Sequence, residues 1–254
     1  DEDKLWEEVS TTEWSKSSDP LSKQAYHENA IPHENAHTCE RHIIHVQFSR
    51  DSEQITFLYR VKCSSDGYKV KTFQFVMDIL GSDLWRIPMV VGSHHDFGWN
   101  GMLFINDGSG MYLVNTKNHY VVKVGSKLEL GGTGGHGTFA YGEFGRKNPN
   151  IVLTDQRFGR HRDSSIYCKD TEVIDYHELW LFIPILRHRI LVHRAVQDKE
   201  HNFKEARTDM HPRWSLDGHT VFYDFYSKIA GKQMFSINIE PFVRKAQSVI
   251  AAKR

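Results

Sequence analysis

Between residues 41 and 240 the chain reads as short apolar runs broken by polar turns, mostly with the two-residue alternation of a strand. Runs at 42–48, 54–62, 68–77 and 84–91 predict a first group of four strands, with Ser64-Ser-Asp-Gly67 as one of its turns. Runs at 94–99, 102–105, 111–115 and 120–124 predict a second group, separated by Asn-Asp-Gly and Thr-Lys-Asn turns. A third group opens after the glycine-rich stretch 131–136 and includes Ile151-Val-Leu-Thr-Asp155. The apolar run 179–186 and the charged stretch that follows it to Arg207 read as an insertion in that group. A fourth group runs from Asp209 to about Ile239. Residues 1–40 are polar and poorly patterned, and the tail 241–254 is patterned like a short amphipathic helix.

One phrase, His-x-x-aromatic, marks each group. It occurs as His45-Val-Gln-Phe48, His94-His-Asp-Phe97, His136-Gly-Thr-Phe139 and His211-Pro-Arg-Trp214, with starts 49, 42 and 75 residues apart. Two copies continue into a turn and a strand: Ser49-Arg-Asp-Ser52 before Gln54, and Ser215-Leu-Asp-Gly218 before His219. Four-stranded units repeating every 40–50 residues or so are the mark of a β-propeller. The fold expected is therefore all-β, with four or five recognisable blades. In a strand, residues three apart point to opposite faces. The aromatic can then pack between blades while the histidine faces the other way, and the four imidazoles are expected to converge at one mouth of a central channel.

Composition narrows the function. Lys and Arg together number 32 against 32 for Asp and Glu, so no long-range field recruits nucleic acid. No apolar run is long enough to span a membrane. The first residues are no signal peptide, although one can have been removed from a mature chain; a secreted or periplasmic location is favoured over a cytoplasmic one. Three cysteines, Cys39, Cys63 and Cys168, leave room for one disulfide at most. His33-Glu-Asn-Ala-His37 matches the letters of a zinc-protease helix, but no amphipathic stripe surrounds it and no third ligand is evident. The glycines at 131–135 lack the Gly-Lys-Ser/Thr ending of a phosphate loop, and no Gly-x-Ser-x-Gly elbow is present.

The stretch His211-Pro-Arg-Trp-Ser-Leu-Asp-Gly218 resembles the repeated phrase of TolB-like and oligogalacturonate-lyase-like propellers, with Leu216 where proline is usual. His45 to Asp51 and the stretch from Gly135 to Asp155 resemble further copies, although Gly142 to Pro149 replaces the usual turn. Ulvan-lyase-like propellers are related. The resemblance implies a polysaccharide lyase that cleaves a uronate-containing polymer by β-elimination, with a bound divalent metal. The rival is a non-catalytic propeller that binds a glycan or a protein.

Elimination needs a positive group against the carboxylate, a base for the C5 proton and an acid for the leaving oxygen. Arg157, in a basic turn after Asp155, suits the carboxylate; His94, or its neighbour His95, is the candidate base or carboxylate partner, with His45 as second choice; Tyr141 is the candidate acid. Two ligand sets are open for zinc or manganese: His136 and His211 with another axial histidine, or His161 and Cys168 near Arg157. An anionic polysaccharide is the expected partner.

Overall fold

The computed structural model describes residues 39–63, 70–88, 94–106, 110–126, 135–158, 175–197, 209–227 and 231–253. The fold is a β-propeller built from antiparallel sheets. The first sheet has the order β1 (Cys39–Phe48), β2 (Gln54–Cys63), β3 (Val70–Asp78), β4 (Trp85–Arg86). The second comprises β5 (His94–Phe97), β6 (Met102–Asn106), β7 (Gly110–Asn115) and β8 (Tyr120–Ser126). The third contains β9 (Gly137–Phe139), β10 (Val152–Phe158), β11 (Asp175–Ile183) and β12 (His188–Gln197). The fourth has three strands among the described residues, β13 (Arg213–Trp214), β14 (Thr220–Ser227) and β15 (Gly231–Asn238). Two α-helices complete the described chain, α1 (Gly142–Lys147) and α2 (Glu240–Ala251).

The described part of the stretch expected to be an insertion, 179–197, belongs to the third sheet. Residues 175–183 and 188–197 pair along their whole length, from Asp175 with Gln197 to Ile183 with His188. They are the two outer strands of the third sheet. The alternation is hard to read because β11 is buried on both faces: Glu178, Leu179, Leu181 and Phe182 are all buried. Glu178 escapes the cost of a buried charge through Arg194, whose Nε and terminal nitrogen both lie 2.6 Å from it.

The chain divides into two compact units. The first holds the first sheet and the far ends of β7 and β8 with their turn, Val114–Val121. That turn is tied to the sheet in three ways: Thr116 hydrogen-bonds Gln54, Lys117 lies 3.5 Å from both Asp51 and Glu53, and the His119 ring stacks on Trp85 at 4.3 Å. Phe57, Tyr59, Phe73 and Phe75 form its core, and a disulfide joins Cys39 to Cys63 across the paired strands β1 and β2.

The second unit holds residues 94–113 and 122 onward. One cluster, with Phe104, Phe139, Val152 and Phe182, fills the space between its first two sheets. Another joins the third and fourth sheets to α2 through Leu153, Leu181, Trp214, Val221, Val243 and Ala246. Among the described residues no helix is long and apolar enough to cross a membrane.

Both complete copies of the serine–aspartate turn have one geometry. Ser49 and Ser215 donate to Asp51 and Asp217 at 2.6 and 2.5 Å, and each serine oxygen accepts the backbone N–H five residues on at 2.9 Å. Ser52 and Gly218 occupy the same left-handed position, with φ of 61° and 76°. In the third sheet α1 stands where that turn would be.

Candidate functional site

Three of the four repeated histidines meet. The His94 and His136 rings lie 4.1 Å apart between centroids, and the His136 and His211 rings 4.2 Å apart. All three belong to the second unit, and each sits at or just before the start of a short first strand: β5, β9 or β13. Their aromatic partners behave alike, since Phe97, Phe139 and Trp214 are all buried. The phrase thus places an apolar anchor inside and an imidazole toward solvent.

The neighbouring strands grip β9 from both sides. The buried Asp96 carboxylate accepts the Phe139 N–H at 2.8 Å and the Thr138 hydroxyl at 3.1 Å. Trp214 donates its indole N–H to the Thr138 carbonyl at 3.2 Å. The glycines around His136 serve close approach. A β-carbon on Gly135 would fall 1.4 Å from the Asp155 carbonyl oxygen, and one on Gly137 would fall 2.1 Å from the Phe104 ring. Asn106 fixes the same segment by donating to the Gly135 carbonyl at 3.0 Å.

His136 rests on Asp155, a buried carboxylate in β10. Asp155 Oδ1 accepts the His136 backbone N–H at 2.5 Å, and both carboxylate oxygens lie 3.3 Å from His136 Nδ1. Burial opposes a charge on His136, but the bond to Asp155 and the charges of Asp155 and Asp209 outweigh it, with Arg213 opposing, and hold its pKa above the ordinary value. Burial likewise pushes Asp155 up, while His136, and beyond it His177, pull it below the ordinary carboxylate range. Each member of the pair thus favours the charged form of the other. His211 has φ of 42°, a left-handed backbone uncommon for a residue with a side chain, which turns its ring onto His136.

The other expected site residues are placed differently. His45 is exposed, lies in the first unit and occupies a bulge of β1, with φ of 52°. Its aromatic, Phe48, is 57% exposed. Tyr141 leaves the opposite end of β9 from His136, caps α1 and packs against the core beside Trp214. The strand β9 runs between it and His136. The backbone of Arg157 pairs with His177 near the end of β10. His161 and Cys168 lie outside the described residues, as do His33 and His37. Among the described residues no three His, Cys, Asp or Glu side chains are arranged to hold a metal ion. His136 and His211 of the first ligand set lie ring to ring, with His94 as the other neighbour of His136.

Asp155 and Asp96 are buried carboxylates that hold this segment, and neither is among the site residues expected from the sequence; the available signal is an aspartate inside a short strand, where it is disfavoured unless engaged.

No protein-family model and no curated protein matches the chain. Among solved structures it is similar to an acylaminoacyl peptidase from Pyrococcus horikoshii, with a TM-score of 0.53 and 7% identity over 80% of this chain and 32% of that one. TolB from Acinetobacter baumannii gives a TM-score of 0.47 at 10% identity, covering 78% of this chain and 41% of that one. The tricorn protease gives 0.42 at 9%, covering 80% and 22%. The chain thus spans about a third of the peptidase's length. At such identity the likeness to the peptidase shows the propeller fold alone.

Proposed function

We propose that the histidine cluster binds the carboxylate of a uronate-containing saccharide and that the chain cleaves it as a polysaccharide lyase. The observation carrying this reading is the contact of His94, His136 and His211 above the buried Asp155. A cationic His136, stabilised by Asp155, meets the first need of elimination, a positive group against the substrate carboxylate. His94 and His211 flank it and supply the other two roles. One imidazole nitrogen takes the proton from C5, the C4–C5 double bond forms, the C4–O bond breaks, and the other imidazole protonates the departing oxygen. The acid role is given to a histidine rather than to Tyr141, which β9 separates from His136 in the chain. The disulfide Cys39–Cys63 suits an oxidising compartment, in keeping with a secreted or periplasmic enzyme.

The test is direct. The chain is incubated with pectate and with ulvan while ultraviolet absorbance of the unsaturated product is followed, and binding is measured by calorimetry. A rise in absorbance that falls at least about tenfold in His136→Ala supports the lyase. Binding without any rise leaves the rival, a non-catalytic glycan-binding propeller. Neither binding nor absorbance with any polyuronate removes the reading.

A further inference from the structure

We propose that Asp155 is a positioning residue that locks the His136 ring with Nδ1 inward and Nε2 toward the ligand; the role for that ligand rests on the function proposed above. Backbone contacts leave His136 little freedom. Its N–H is bound to Asp155, and the preceding carbonyl is bound to Asn106. Gly135 and Gly137 pack without room for a β-carbon against Asp155 and Phe104. The remaining motion is a half-turn of the ring. That half-turn would set a ring C–H against the carboxylate in place of Nδ1, leaving a buried charge short of a donor. With Nδ1 held by Asp155, Nε2 is the nitrogen left for the side shared with His94 and His211. The groups around the pair are His94 on β5, His177 on β11, and Asp209, His211 and Arg213 at β13.

Asp155 touches no ligand in this scheme, so its effect is read at His136. Nitrogen-15 spectra of the labelled full chain at pH 9 report which imidazole nitrogen carries the proton. The His136 signals are identified by their loss in His136→Gln. The wild-type chain is expected to show protonated Nδ1, and Asp155→Asn a mixture of both tautomers, with trigalacturonate bound about tenfold or more weakly. A proton on Nε2 in the wild type overturns the assignment. So does a single unchanged tautomer in Asp155→Asn. Should Asp155→Asn fail to fold, the wild-type spectrum alone decides. If the wild type does not bind trigalacturonate, the functional reading falls while the tautomer still judges Asp155.

Discussion

The phrase His-x-x-aromatic behaves in two ways within one chain. In the second unit its aromatics are buried, at 0% for Phe97, 1% for Phe139 and 5% for Trp214, and its histidines touch. In the first unit Phe48 is 57% exposed and His45 sits exposed on a bulge. The turn that follows is nevertheless the same: Ser49–Asp51 and Ser215–Asp217 make matching hydrogen bonds. The difference teaches that the phrase carries two separable instructions. The turn depends on residues within six positions of one another and forms wherever the letters occur. Burial of the aromatic and convergence of the imidazole depend on which strands lie alongside.

The largest test of that contrast removes the aromatic from each setting. Phe139→Ala should cost about 3–5 kcal/mol in urea denaturation, because its ring is buried against Phe104. Phe48→Ala should change stability by no more than about 0.5 kcal/mol. Equal losses would mean that Phe48 is covered in solution. A smaller effect is expected at the shared turn, where Ser52 in one copy stands at the left-handed position that Gly218 takes in the other. Gly218→Ala should destabilise by about 1–3 kcal/mol, since its φ is 76° and a β-carbon would fall 2.2 Å from the Phe144 ring. Ser52→Gly, at the matching φ of 61°, should stabilise by under about 1 kcal/mol. A loss of stability in Ser52→Gly would break the equivalence of the turns.

The smallest effect is in pH. The folded pKa of His136 is raised above 6.5, so its contribution is full below that value and is lost as pH rises through the folded pKa. The folded pKa of Asp155 is lowered below 3.8, so its contribution is full above that value and is lost as pH falls through the folded pKa. The stability difference between wild type and Asp155→Asn should therefore be greatest from about pH 4 to 6.5 and shrink on either side. His193, whose pKa burial lowers, works in the other direction and loses its contribution as pH falls below 6.5. It is common to both proteins and cancels in the difference. A difference independent of pH would show that Asp155 and His136 do not interact as an ion pair.

Much of the fold is legible in the letters. Each of the four phrases lies in or beside the first strand of a sheet, and the turn serines and aspartates are recognisable by spacing. The third sheet was the exception, because β11 carries apolar side chains on both faces and hides its two-residue period. At the site, histidines 94, 136 and 211 are readable as a set because repetition places them at equivalent strand starts. Tyr141 and His136 are five residues apart in the sequence, but the extended β9 between them carries the chain about 3.3 Å per residue.

By itself, then, the sequence determined the elements governed by short-range physics: alternation, turn hydrogen bonding and the residues opening each strand. Tertiary structure alone decided which aromatics are covered, which histidine stands apart, and that Asp155 lies beneath His136. Those outcomes depend on packing between strands remote in the chain. Burial and a carboxylate–imidazole pair are properties of a neighbourhood, which no single stretch of residues contains.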